Sequence, residues 1–101
     1  MHPSPQTIAV DVDGTLLVNG QLNAALVEFL KKQKANGTEL MLWSSRGRVY
    51  AKAVAERFEV AALFDVFASK PRVIVDDHGW DWTRFTQVIR VGGHDDRADP
   101  H

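Results

Sequence analysis

The stretch that decides the fold reads Thr7-Ile8-Ala9-Val10-Asp11-Val12-Asp13-Gly14-Thr15. Its first four residues are short, β-branched and apolar on both faces, which is typical of a strand covered by helices on each side. The strand ends at Asp11, and Asp13 follows beside a glycine that permits a tight turn. This spacing lets the side chain of one aspartate and the backbone of the other face one hard cation such as Mg²⁺, which would share the position with a substrate phosphate. The alternative is an ordinary surface turn, since Asp and Gly are common in turns.

The chain after this turn alternates predicted helices and strands. Apolar residues at helical spacing predict a first helix, which Asn36-Gly37 ends, and then a second helix. The alternation predicts parallel strands joined by right-handed crossovers, hence an α/β fold. The predicted helix faces are Leu22, Ala25, Leu26, Phe29 and Leu30, then Val49, Tyr50, Ala53, Val54 and Phe58; the later strands are Leu40-Met41-Leu42-Trp43, Val66-Phe67-Ala68 and Val73-Ile74-Val75.

Length and composition bound the possible functions. The length of 101 residues suits one domain, which we expect over residues 1–101 with flexible tails at 1–6 and 94–101. Residues 82–91 fit a helix, or a loop and a strand, equally well. The absence of cysteine excludes disulfides, zinc–thiolate sites and thiol catalysis. A formal charge of -1 gives no global attraction to nucleic acid or acidic lipid. The apolar runs are too short to span a bilayer, and the first residues lack the basic and then apolar pattern of a signal peptide. We therefore expect a cytoplasmic protein without a membrane partner.

Polar clusters follow each of the later predicted strands. Because the carboxyl ends of parallel strands meet at one edge of the sheet, where ligands bind in such folds, these clusters are candidate site residues. Each also has an ordinary interpretation: a serine as a helix cap, a solvated lysine, an acidic loop. The clusters are Ser44-Ser45-Arg46-Gly47, Ser69-Lys70-Pro71 and Asp76-Asp77.

Taken together, these motifs resemble those of the haloacid dehalogenase superfamily. Asp11-Val12-Asp13-Gly14-Thr15 resembles its first motif, and Ser44, Lys70 and Asp76-Asp77 are similar to the hydroxyl, lysine and acidic pair of the other three, in the same order. The resemblance covers roughly residues 7–78, and four motifs in order at predicted strand ends support one another. It implies a Rossmann-like three-layer sandwich with a small central parallel sheet.

The resemblance also implies an activity, that of a magnesium-dependent phosphatase acting on phosphate monoesters. Asp11 would be the nucleophile that forms an aspartyl-phosphate. Asp13 would protonate the leaving group and then take a proton from the attacking water. Lys70 would bind phosphoryl oxygens and offset the repulsion between an anionic nucleophile and an anionic substrate.

The remaining candidate residues would bind phosphate or metal. Ser44 would bind phosphoryl oxygen, with Ser45 as the alternative, and Arg46 either contacts the substrate beyond the phosphate or is simply exposed. In the family, Mg²⁺ is held by groups that correspond to the Asp11 carboxylate, the Asp13 carbonyl and one of the acidic pair Asp76-Asp77. Of that pair, Asp76 is the preferred ligand.

The segments between the motifs are too short for the cap domain that selects the substrate in most relatives. Residues 16–39 hold a hairpin or loop and one helix, and residues 47–69 hold one helix and a short strand. An open site suits a phosphate on a macromolecule, such as a polynucleotide end or a protein, or a small phosphate enclosed by a neighbouring subunit. A homodimer is therefore among the partners to consider.

Two other classes of function share these residues. A signalling receiver module also combines an acidic pair, a phosphorylated Asp, a hydroxyl group and a lysine, but its acidic pair closes the first strand. Here that order is reversed. A magnesium- or phosphate-binding subunit without turnover would keep the same fold, since fold does not establish activity. Phosphate release distinguishes this last class from an enzyme.

Overall fold

The structure is a computed structural model that describes residues 6–91 and the backbone of residues 94–95. The chain divides into two units, Met1–Lys70 and Pro71–His101. Of the tails predicted from the sequence, residues 1–5 and 96–101 lie outside the described residues. Within the described residues, no helix has both the length and the apolar character needed to cross a bilayer.

Residues 6–70 form an α/β unit around a parallel sheet. Three strands make this sheet in the order β1-β4-β5, and β2 and β3 form a separate antiparallel hairpin. The parallel α/β arrangement predicted from the sequence is confirmed, and no cap domain interrupts these residues. The elements are β1 (Thr7–Asp11), β2 (Leu17–Val18), β3 (Gln21–Leu22), α1 (Ala24–Ala35), β4 (Glu39–Ser44), α2 (Arg48–Arg57), a 3-10 helix (Ala61–Leu63) and β5 (Val66–Ser69).

Local signals explain where α1 begins and ends. The Asn23 side chain accepts a hydrogen bond from the backbone N–H of Leu26 at 3.2 Å, which satisfies one of the free donors of the first turn. At the other end the helix stops at Asn36, and Gly37 has a φ of 90°, a conformation that favours glycine. The end predicted from Asn36-Gly37 is therefore confirmed.

Both helices pack on the same face of the sheet. Leu42 of β4 belongs to one hydrophobic core that also contains Val27 of α1 and Val54 of α2. The crossovers from β1 to β4 and from β4 to β5 step in the same direction, so right-handed connections carry both helices to one side. Met41 and Trp43 alternate with Leu42, are half-buried and lie outside that core. Among residues 6–70, helices thus cover one face, where the strand pattern predicted two.

The second unit, described over residues 71–91 and 94–95, contains a 3-10 helix (Gly79–Phe85) and the antiparallel strands β6 (Ile89–Arg90) and β7 (His94–Asp95). The fourth strand predicted at Val73-Ile74-Val75 is wrong. These residues form no strand, and Val73 and Val75 are 80% and 96% exposed. A short apolar run favours strand formation, but it does not determine which strand of a sheet it pairs with.

Candidate active site

Asp11 and Asp13 lie on a tight turn that directly follows β1. The N–H of Gly14 donates to the carbonyl of Leu17 at 2.8 Å, and Gly14 has a φ of 81°, which favours glycine. Val12, between the two aspartates, is fully buried and anchors the turn to the core. Asp11 is half-buried and Asp13 is exposed. The turn therefore holds two carboxylates at the carboxyl end of β1 on a fixed backbone.

The register of the sheet brings three of the predicted site segments to one edge. Asp11 is the Cα partner of Trp43, and Ser44 is the Cα partner of Ser69. The N–H of Lys70 then donates to the carbonyl of Ser44 at 2.9 Å, which extends the pairing by one step. The carboxyl ends of β1, β4 and β5 thus bring the backbones of an aspartate, a serine and a lysine to one edge of the sheet.

Lys70 extends along the sheet face on which Asp11 lies. Its Nζ is 5.9 Å from the ring centroid of Trp43, within the usual range of a cation–π contact. Residues paired in register on adjacent strands direct their side chains to the same face, so Asp11 and Trp43 share a face. The ammonium group is therefore on the same side of the sheet as the Asp11 carboxylate.

The two candidate serines differ in exposure. Ser44 is 2% exposed, and its Oγ accepts a hydrogen bond from the N–H of Arg46 at 3.0 Å, which shapes the loop between β4 and α2. That bond uses an acceptor site of the hydroxyl and leaves its proton free to donate. Ser45 is exposed. The position of Ser44 is thus better fixed, whereas the hydroxyl of Ser45 is more accessible to a substrate.

A residue on a neighbouring strand supports the start of α2. The N-cap position is Gly47, which has no side chain and a φ of 105°, so neither Ser44 nor Ser45 is the cap that the sequence offered. The N–H of Arg48 donates instead to Oγ of Ser69 at 3.0 Å. Sequence reasoning missed this role because the hydroxyl comes from 21 residues further along the chain.

Two side chains contact the carboxylate of Asp13. The hydroxyl of Tyr50 donates to Oδ1 at 2.8 Å, and Nη1 of Arg46 lies 3.9 Å from Oδ2. The guanidinium of Arg46 also stacks over the Tyr50 ring, 4.0 Å from its centroid. The hydrogen bond to Asp13 is the main cause that raises the pKa of Tyr50 above 10.0, so the hydroxyl keeps its proton at neutral pH.

Tyr50 is the site residue that sequence reasoning missed. Its helical spacing assigned it to the apolar face of α2, and its ring does pack against the core. The available signal was its hydroxyl, because a packed tyrosine usually places that group on a polar partner. Arg46, the other side chain at Asp13, lies in the loop before α2, which begins at Arg48.

Asp76 and Asp77 belong to the second unit, and their recorded contacts are local. Oδ1 of Asp76 accepts a hydrogen bond from the N–H of His78 at 2.8 Å, and Oδ2 of Asp77 lies 3.7 Å from Nε2 of His78. In the described part of the chain, no group of three or more His, Cys, Asp and Glu side chains is close enough to hold a metal ion. The acidic pair and the turn after β1 are thus features of different units.

Comparison with known proteins adds no relative to this description. No family model matches the chain, and no curated protein or solved structure matches it at a significant level. The resemblance to the haloacid dehalogenase superfamily accordingly rests on the four sequence motifs, of which the first three lie at strand ends of the sheet and Asp76-Asp77 does not follow a strand.

Proposed function

We propose that this protein is a phosphatase with a Rossmann-like core of the haloacid dehalogenase type, which hydrolyses phosphate monoesters through an aspartyl-phosphate on Asp11. The observation that carries the proposal is the alignment of Asp11, Ser44 and Lys70 at the carboxyl ends of three adjacent parallel strands. A nucleophilic carboxylate, a hydroxyl donor and an ammonium group on one edge meet the main needs of phosphoryl transfer, which are attack, positioning and charge neutralisation.

The proposed reaction has two displacements at phosphorus. In the first, an Asp11 oxygen forms a bond to phosphorus, the ester oxygen leaves, and Asp13 gives that oxygen a proton. In the second, Asp13 takes a proton from water, the water oxygen bonds to phosphorus, and the bond to Asp11 breaks. Inorganic phosphate and the free alcohol are the products, and both aspartates return to their starting states.

The phosphoryl oxygens would be bound by groups on β4 and β5. Lys70 supplies a positive charge on the face of the sheet where Asp11 lies, which lowers the repulsion between nucleophile and substrate. Either the Ser44 hydroxyl, whose proton is free to donate, or the exposed Ser45 hydroxyl supplies a further hydrogen bond. Alanine substitution of each serine separates the two, because the residue that binds phosphate has the larger effect on phosphate release.

The residues of the turn also fit a magnesium ion in part. Mg²⁺ prefers oxygen ligands, keeps several waters, and is usually held by one or two carboxylates together with substrate phosphate. The carboxylate of Asp11 and the backbone carbonyl of Asp13 would supply the protein oxygens. When bound, the ion neutralises charge on the transferring phosphoryl group.

The absence of a cap in residues 6–70 bears on the substrate. Within residues 6–70, β1 is followed by the short hairpin of β2 and β3, and β4 is followed by the loop before α2, with no inserted domain. An open edge suits a phosphate on a bulky carrier, such as a polynucleotide end or a protein, or a small phosphate that a second subunit encloses. The formal charge of -1 gives no general attraction to polynucleotide, so recognition would be local.

The test is phosphate release from a panel of monoesters, with and without Mg²⁺. The panel contains an aryl phosphate, sugar phosphates, nucleotides and a 3'-phosphorylated oligonucleotide, and Asp11→Asn is assayed beside the wild type. We expect release that requires Mg²⁺ and falls at least about a thousandfold in the variant, because the nucleophile is lost. Asp81→Asn is the matched control, since it removes the same charge from an exposed position in the second unit.

Two results would overturn the proposal. Unchanged release by Asp11→Asn would assign the chemistry to another residue. No release from any substrate by folded wild-type protein with Mg²⁺ bound would favour a binding subunit or a receiver-like module, whose Asp11 would accept a phosphoryl group without hydrolysing it.

A further inference from the structure

The side chain of Tyr50 connects the hydrophobic core to the carboxylate of Asp13. One side of Tyr50 packs against the core of the first unit, and the guanidinium of Arg46 covers its ring at 4.0 Å. From this position its hydroxyl reaches Oδ1 of Asp13 at 2.8 Å, across 37 residues of sequence. The hydrogen bond thus joins an anchored ring to an exposed carboxylate.

Asp13 needs such a contact if it is to transfer protons efficiently. Its side chain is 52% exposed, so water solvates it and its χ1 angle would otherwise sample several rotamers. A proton donor must lie within hydrogen-bond reach of the leaving oxygen at the moment of transfer. If the carboxylate is held in one rotamer before the substrate binds, the entropic cost of selecting that rotamer no longer adds to the activation free energy.

The geometry also keeps one oxygen of Asp13 available. Tyr50 occupies Oδ1, whereas the nearest recorded cation to Oδ2 is Nη1 of Arg46 at 3.9 Å, beyond hydrogen-bond distance. Oδ2 can therefore carry the proton that moves to or from the substrate while Oδ1 remains bound. The hydrogen bond from Tyr50 thus uses Oδ1 to hold the carboxylate and leaves Oδ2 for proton transfer.

We propose that Tyr50 is a positioning residue, whose hydroxyl holds the carboxylate of Asp13 in the rotamer that serves proton transfer. This inference rests on the proposed phosphatase function and deepens it, because Tyr50 acts through Asp13 and touches neither phosphorus nor the leaving group. Arg46 has a part in the same arrangement, since its guanidinium limits the motion of the ring.

The test uses Tyr50→Phe, which removes the hydroxyl and keeps the ring that packs on the core. An alkyl phosphate needs a proton on its leaving oxygen, whereas an activated aryl phosphate does not. We expect kcat/KM to fall about tenfold for the alkyl ester and to change less than about twofold for the aryl ester. The same substitution on an Asp13→Asn background should have no further effect, and Val49→Ala, an exposed change on the same helix, should alter neither ester.

A second measurement on the same variants needs no turnover. Three-bond couplings from the backbone nitrogen and carbonyl carbon to Cγ report the χ1 rotamers of Asp13. We expect one rotamer in the wild type and averaging in Tyr50→Phe. A single rotamer in the variant, equal losses for both esters, or no loss for the alkyl ester would each overturn the inference. Failure of the wild type itself to release phosphate would instead overturn the proposed function, and the positioning role of Tyr50 in proton transfer with it.

Discussion

Residues 6–70 and residues 71–91 contain similar apolar side chains but use them differently. The first region buries leucine, valine and alanine from strands and helices in one core, whereas in the second region no residue is buried. Val75, Trp80 and Phe85 are 96%, 79% and 92% exposed. The difference lies in spacing, because periodic apolar residues converge on one face of a helix or strand and isolated ones do not. Apolar composition alone therefore does not make a core.

Hydrogen exchange tests this comparison with the largest expected effect. The amides of β4 should exchange at least about a hundredfold more slowly than those of residues 73–75, because the strand opens only when the core does. Exchange followed residue by residue on the whole chain by NMR measures the ratio. Equal protection of the two segments would show that residues 73–75 take part in cooperative structure.

Truncation of one side chain in each region is expected to have the next largest effect. Leu42→Ala should lower the free energy of unfolding by about 3 kcal/mol, since Leu42 is fully buried and its loss leaves a cavity. Val75→Ala should change it by less than about 0.5 kcal/mol. Denaturant titration of both variants gives the two values, and a loss at Val75 as large as that at Leu42 would break the comparison.

Hydrogen bonds of side chains near helix starts provide a smaller contrast. Asn23→Ala should cost about 1 kcal/mol, because Asn23 caps α1 and also donates to the carbonyl of Thr15 at 3.2 Å. The matched change is Thr83→Ala, which removes a hydroxyl that donates to the carbonyl of Trp80 at 2.8 Å within the 3-10 helix of the second region. That change should cost less than about 0.5 kcal/mol in the same titration, and the reverse ranking would count against the assignment of stability to residues 6–70.

The smallest expected effect depends on pH. The N–H of Leu40, at 2.8 Å from Oδ2, is the main cause that lowers the pKa of Asp65 below its ordinary value of 3.8, and Lys34 adds to it. A lowered pKa in the folded state stabilises the protein above pH 3.8 and ceases to do so as the pH falls through the folded value. Asp65→Asn should therefore lower the unfolding midpoint at pH 7 and have little effect near pH 2.

A local carboxylate serves as the control for Asp65. Asp76 accepts a hydrogen bond from a residue only two positions away, so Asp76→Asn should leave the midpoint of the first region unchanged at both pH values. A pH-independent loss in Asp65→Asn would show that its packing, rather than its charge, stabilises the fold.

The fold of residues 6–70 could be predicted from the sequence because its elements carry local signals. Strands and helices lie where apolar runs predicted them, and α1 ends where Asn36-Gly37 predicted its end. The face of α1 was predicted less well. Ala25 and Phe29 were expected inside and are exposed, whereas Val27 is buried. Adjacent apolar residues allow two overlapping helix faces, and contact with the sheet selects between them.

The candidate site was predictable to the extent that topology determines it. Parallel strands bring Asp11, Ser44 and Lys70 to one edge whatever the details of packing. The hydrogen bond between Tyr50 and Asp13 was not predictable. It joins residues 37 positions apart in the chain and depends on the rotamer of each side chain. The prediction of a fourth strand was wrong for a similar reason. A strand forms only when it pairs with another strand, and the sequence of residues 73–75 does not determine such a partner.

The order of the strands has a consequence for how the molecule is made. β1, β4 and β5 occur in the chain in the same order as they lie in the sheet. On the ribosome, each strand that emerges can therefore join the edge left by the one before it, without waiting for a later segment to be inserted. The turn that carries Asp13 is synthesised first, and α2 brings Tyr50 to it when the second crossover forms. Synthesis and assembly of the site thus proceed in the same direction.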